Sequence, residues 1–127
     1  MSVPLNVGDV IRIYDGTTDP HKMKRFLCVL VAEGWFLRIN TNAFWKPHFP
    51  LPHTGNEHCL DHDSFLELRG VIEYDDYSIE SALDDPGNHL GQLSRDVIAQ
   101  LVEHLPNVRT IAKVERDRII ESLSALL

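Results

Sequence analysis

Three groups of side chains in this 127-residue chain have the types and spacing to do chemistry. The first is a run of imidazoles with one thiol: His48, His53, His58, Cys59 and His62. His58 and His62 stand four apart, the spacing at which two ligands share a metal on one helix face. Pro52 and Gly55 break the segment, however, and no helical periodicity runs through it. The HExxH pattern is also missing, because Cys59 follows His58 and no glutamate lies between the histidines. These residues therefore read as loop histidines, and neither a metal nor another cofactor is expected; a metal-dependent hydrolase built on His53, His58, Cys59 and His62 is the weaker alternative. The second group is the acid pairs Asp61/Asp63, Asp75/Asp76 and Asp84/Asp85, an arrangement that glycosidases and two-metal sites use. They lie in turn-like sequence, where acids are usually just solvated. Ser64 and Cys59 have histidines nearby, but neither GxSxG nor a papain-like motif surrounds them, and P-loop and GxGxxG patterns are absent.

The third group is His21, Lys22, Lys24 and Arg25, directly before an apolar run. Thr17 to Arg25 reads as a polar loop that feeds a strand. An arginine at the mouth of a rigid strand can hold a phosphate through paired N–H donors. Phe26–Ala32 is continuously apolar, as a strand covered on both faces should be. Glu33-Gly34 is a turn, and Trp35–Asn40 is the partner strand of a hairpin. A hairpin sets the start of one strand opposite the end of its partner, so Arg25 should neighbour Asn40 and Thr41. The competing reading is a basic gatekeeper beside an apolar strand, next to an ordinary polar turn.

Around this hairpin the sequence places Val10–Tyr14 as a strand, His48–Leu51 as a short edge strand, and strand-like stretches at Ser64–Leu68 and Gly70–Tyr74. Asp84–Asn88 is a turn. Ser94 is an N-cap for a helix that buries Val97, Ile98, Leu101, Val102 and Leu105 and stops at Pro106. A second helix lies within Ala112–Leu126. The expected fold is one α+β domain over 1–127, mainly β. Its small sheet or barrel spans about 8–80, with C-terminal helices near 94–105 and 112–126.

The composition, 43% hydrophobic and 24% charged, is that of a folded domain. The longest apolar run, Phe26–Ala32, is too short for a membrane span, so no membrane association is expected. The first residues lack a secretory pattern and there are only two cysteines, which together point to the cytoplasm. Net charge is −7, unevenly spread: residues 1–56 are mildly positive, whereas 57–85 carry ten acids against Arg69 alone. That excludes a broad nucleic-acid coat and leaves room for a small basic site on the first portion.

The order of these features resembles the MazF/PemK family of toxin endoribonucleases. Gly8-Asp9-Val10 is followed by Lys24-Arg25 entering a Val/Leu strand, and then by a strand ending in Asn40-Thr41. Leu60 to Leu66 resembles the family's L-x-x-D-S segment, and Gly91-Gln92-Leu93-Ser94 its G-x-L-S helix start. The resemblance implies an SH3-like small barrel of the MazF/PemK/CcdB type, usually a homodimer. It also implies metal-independent cleavage of single-stranded RNA to a 2′,3′-cyclic phosphate, and neutralisation by a cognate antitoxin protein. By similarity Arg25 and Thr41 are the catalytic pair at the scissile phosphate. His21, Lys24 and Asn40 would bind substrate. Phe26 stands where the family has a proline. The alternative is a non-catalytic protein-binding module, or a protein-targeting poison, on the same barrel. Phe44 and Trp45 are candidates for stacking on a base.

Overall fold

The computed structural model describes residues 4–16 and 22–127. Strands β1 (Asp9–Asp15), β2 (Lys22–Leu30) and β3 (Trp35–Asn40) form an antiparallel meander. The β2–β3 turn is closed by the Gly34 N–H donating to the Val31 carbonyl at 3.0 Å. Gly34 has φ +66°, and a Cβ there would lie 2.2 Å from the Tyr74 carbonyl oxygen, so the turn requires glycine.

The apolar run is covered on both faces. Leu27 and Val29 join Leu37, Ile39 and Leu66 in a core closed by Ile98, Leu101, Ile119 and Leu123. Phe26 and Cys28 point the other way, into a smaller core with Ile11, Ile13, Phe36, Ile79 and Leu83. Burying each such side chain is worth roughly 1.5–3 kcal/mol, which is why this stretch tolerates no polar alternation.

The strand runs from Lys22 to Leu30, four residues earlier at its start than the apolar pattern suggests, and it stops before Val31. Pairing with β1 explains the extension. Asp15 sits opposite Lys22 and Ile13 opposite Lys24, so the ladder continues past the apolar residues. Lys24 and Arg25 are therefore on a rigid strand, not in a loop.

The chain continues through β4 (His48–Leu51), β5 (Ser64–Glu67), β6 (Ile72–Glu73), α1 (Asp76–Leu83), β7 (His89–Gln92), α2 (Arg95–His104) and α3 (Lys113–Ser124). The strand order is β4-β5-β3-β2-β1-β7, and β6 also pairs with β3. The result is an α+β fold: a curled antiparallel half-barrel sheet with C-terminal helices. Pro50 is tolerated because β4 ends the strand order and needs hydrogen bonds on one side only. The Ser94 side chain accepts from the Val97 N–H at 3.4 Å and caps α2, while Pro106 sits in the 3₁₀ turn that ends it.

Sequence pattern alone assigns no helix to Asp76–Leu83 and no strand to His89–Gln92. The acids Asp75 and Asp76 belong to a helix start. The Asp75 carboxylate accepts from the Ser78 N–H at 2.7 Å, and that bond holds its carboxyl below the usual range. Among the described residues, no helix is long and apolar enough to cross a membrane.

Candidate functional site

At the start of β2 the surface opens into a pocket of about 160 Å³. Lys22, Lys24 and Arg25 enter it from β2, and Asn40 and Thr41 from the end of β3. His62 enters from the loop before β5, and Ser64 from the first residue of β5. The antiparallel register places Arg25 opposite Ile39, which brings Asn40 and Thr41 alongside it. His21 lies outside the described residues.

Arg25 is the most strongly positioned cation. Its Nη2 donates to the Asp61 carboxylate at 2.9 Å, with the arginine side chain 28% exposed and the aspartate 72%. The Arg25 Nε is buried without a hydrogen-bond partner among the described residues, so the guanidinium keeps donor capacity that this ion pair does not use. An exposed pair of this kind is worth at most about 1 kcal/mol, little enough for a competing anion to displace Asp61.

Beside Arg25, His62 Nδ1 lies 2.9 Å from the Asp63 carbonyl oxygen. A carbonyl oxygen only accepts, so Nδ1 is the donor in this contact, and Nε2 is the ring nitrogen left to accept a proton in that tautomer. The Ser64 hydroxyl donates to the His62 carbonyl at 3.0 Å, which fixes the loop over the pocket.

Beneath the pocket runs a buried polar chain. Lys24 Nζ donates to Asn40 Oδ1 at 3.3 Å, and Asn40 Nδ2 donates to Glu67 Oε1 at 3.1 Å. Arg38 Nη1 donates to Glu67 Oε2 at 3.1 Å, and Arg38 Nε donates to Asp15 at 2.9 Å. Asn40, Glu67 and Asp15 are all buried. The chain fixes which way the Asn40 amide faces and gives Lys24 an acceptor. Burial, then the neighbouring Arg38 charge, lower the Lys24 ammonium below its ordinary value, with Asp15 acting in the opposite direction.

The loop that delivers Asp61 and His62 is held by Asn56, which is fully buried. Its Oδ1 accepts from the Ser94 N–H at 2.8 Å, and its Nδ2 donates to the Pro52 carbonyl at 3.0 Å. The histidine group disperses around this loop. His48 packs edge-on against Phe65, His58 Nε2 lies 2.5 Å from the Gln92 carbonyl oxygen, and His62 faces the pocket. Among the described residues, no three His, Cys, Asp or Glu side chains are placed to hold a metal ion. Cys59 is buried and its thiol is pushed up to about 11 by that burial, with Arg25 pulling it down, so it is no thiolate nucleophile near neutral pH. Phe44 and Trp45 pair edge-to-face at 5.0 Å, outside the pocket lining, with Arg69 over the Trp45 ring at 5.5 Å.

The sequence does not point to Glu67, Arg38, Asp15 or Asn56, and it offers His62 as a metal ligand and Ser64 as a nucleophile, both otherwise only as part of the Leu60–Leu66 segment of the resemblance. The available signal was a polar residue in each of several apolar stretches: Arg38 in Trp35–Asn40 and Glu67 in Ser64–Leu68. Comparison of the chain with protein-family models, curated proteins and solved structures returns no significant match.

Proposed function

We propose that this chain is an endoribonuclease of the MazF/PemK type on an SH3-like barrel, cutting single-stranded RNA without a metal at the pocket that opens beside Arg25. The observation that carries this reading is the convergence of a guanidinium, an ammonium, a hydroxyl and an imidazole on one small pocket from separate elements. RNA brings its own nucleophile, so the protein must only align it and stabilise charge on the phosphorane. The 2′-oxygen bonds to the adjacent phosphorus and the P–O5′ bond breaks. This leaves a 2′,3′-cyclic phosphate and a 5′-hydroxyl. His62 Nε2 accepts the 2′-hydroxyl proton, O5′ takes a proton from solvent water as the P–O5′ bond breaks, and the imidazolium returns its proton to solvent. Arg25 displaces Asp61 to grip the phosphate, Thr41 donates its hydroxyl to a phosphate oxygen, and Lys24 adds charge. A homodimer, a cognate antitoxin and a cytoplasmic setting belong to the same proposal.

The test is cleavage of a long mixed-sequence RNA in EDTA by wild type and by Arg25→Ala. Short-site cleavage with cyclic-phosphate ends should appear in wild type and fall roughly 100- to 1000-fold in the variant. A folded wild type that leaves the RNA intact, or an unchanged variant, refutes the proposal.

A second reading, a protein-binding module or protein-targeting poison, is favoured by one observation. The pocket's guanidinium is already paired with Asp61, while Phe44 and Trp45, three and four residues past Thr41, present exposed aromatic surface. On that reading, growth arrest on overexpression persists in Arg25→Ala.

A further inference from the structure

A second cleft, of about 320 Å³, abuts the cationic pocket, and Met23 lines both. Its walls come from Tyr14 of β1, from Tyr74, and from Tyr77, Ser78 and Ser81 of α1. The volume lies at the lower end of ligand sites, the scale of one flat ring system rather than an extended chain.

Helix α1 sorts its side chains between two sides. Tyr77, Ser78 and Ser81 line this cleft, whereas Asp76 and Glu80 line a different one with Pro4 and Val31. Ser81 stands four residues from Tyr77 and three from Ser78, and Glu80 stands four from Asp76, so a single helix presents a neutral face and an acidic face. The neutral face is the one beside the cations. Tyr77 is 80% exposed on that helix, although the fold buries Phe26 and Phe36 completely. The opposite wall is fixed: the Tyr74 hydroxyl donates to the Tyr14 carbonyl at 3.1 Å, and its ring packs edge-on against Phe26 and Phe36.

A cationic pocket joined to a neutral cleft of tyrosines and hydroxyls matches the two halves of a nucleotide, an anion and a flat ring with polar edges. We infer that the cleft is a nucleobase subsite for single-stranded RNA, taking the base of a nucleotide that flanks the phosphate held by Arg25. This rests on the ribonuclease reading. The base stacks on Tyr77 while the α1 serine hydroxyls meet its polar edge, the mode in which single strands are bound through unstacked bases. The acidic side of α1 faces away from the strand's path, so the negative middle of the sequence does not oppose binding here.

The experiment is fluorescence anisotropy with a labelled, uncleavable 2′-O-methyl oligonucleotide of mixed sequence. Wild type, Tyr77→Ala, Tyr77→Phe and Arg25→Ala are compared, with ribose 5-phosphate as a base-free competitor. Tyr77 is a surface residue, so its variants should fold, and circular dichroism checks this. Tyr77→Ala should weaken oligonucleotide binding about 5- to 100-fold, from the loss of one stacked base. Tyr77→Phe should stay within about twofold of wild type because it keeps the ring. Ribose 5-phosphate should compete with equal affinity in wild type and Tyr77→Ala. If Tyr77→Ala binds as wild type does while Arg25→Ala is weakened, the subsite is overturned and the ribonuclease reading stands. If wild type binds no oligonucleotide, both fall together.

Discussion

Replacing Glu67 by alanine removes one carboxylate that serves two donors. Glu67 accepts from Arg38 Nη1 and from Asn40 Nδ2, both at 3.1 Å, in a region where Asn40 is 4% and Glu67 8% exposed. Water cannot readily replace it. The charge-assisted bond from Arg38 is worth roughly 1.5–3 kcal/mol, and leaving the buried Asn40 amide unsatisfied costs about 1–3 kcal/mol more. Arg38 keeps its second carboxylate, Asp15, which caps the damage. We expect a loss of about 3–5 kcal/mol, the range for breaking a buried pair from one side. In urea titrations followed by tryptophan fluorescence the midpoint should fall accordingly, and Tm should drop by roughly 10–20 °C. Glu67→Gln is the sharper variant. Glutamine has one acceptor oxygen for two donors, so Asn40 must turn its amide, and its NH2 would then face the Lys24 ammonium. Glu67→Gln should therefore weaken phosphate binding even where the protein remains folded. A loss below about 1 kcal/mol in Glu67→Ala would refute the idea that this carboxylate holds the site together.

Three further outcomes follow from the same geometry. Gly34→Ala should destabilise by at least about 1–3 kcal/mol, from the left-handed backbone and the collision with the Tyr74 carbonyl, and chemical denaturation would measure it. Cys28 and Cys59 are buried, with thiols raised to about 12 and about 11 by that burial, so a disulfide reagent should label neither until the chain unfolds; rapid labelling of the native protein would contradict this. Because Lys24 is held below its ordinary value, its charged form costs folding stability, and that cost disappears as pH rises through the interval between the folded and unfolded values. Oligonucleotide binding should weaken within the same alkaline interval, and Lys24→Arg, which keeps its charge, should bind steadily across it; coincident pH profiles would count against a role for Lys24.

How much of this was legible in the sequence depends on how local the cause is. The β2–β3 hairpin was readable because its signals are local: a continuous apolar run, a Gly34 turn, a second run. The neighbourhood of Arg25 with Asn40 and Thr41 then follows from antiparallel geometry alone. β2 begins earlier than its apolar pattern places it because Lys22 and Lys24 are held by pairing with β1, not by their own apolarity. Helix α1 is hidden in the sequence for a similar reason. It buries only Ile79, Ala82 and Leu83, and its start is set by the capping carboxylate of Asp75. Glu67, Arg38 and Asn56 could not be found from spacing, since each acts on residues far away in the chain.

The acidic stretch 57–85 looks, from charge alone, like a barrier to any polyanion. In the fold those carboxylates are spread over different tasks. Glu67 is inside the chain that supports Lys24, and Asp63 accepts from the His53 N–H. Glu73 accepts from Trp35 Nε1, Asp75 caps helix α1, and Asp85 caps the 3₁₀ turn at Pro86–Asn88. Only Asp61 among these bonds a pocket cation, and it does so from an exposed position where the pair is weak. The charge that bears on the pocket is therefore set by which side chains meet there, three cations, one displaceable carboxylate and the buried Glu67 and Asp15 beneath Lys24, and not by the sum along the sequence. A single charge change should expose this. Asp61→Asn should tighten oligonucleotide binding about two- to fivefold at low salt, corresponding to at most about 1 kcal/mol, with the gain shrinking as salt rises. Asp85→Asn, an equal change in net charge at a turn away from the pocket, should leave binding unchanged. Equal effects from the two variants would show that overall charge, not the Arg25 contact, governs the site.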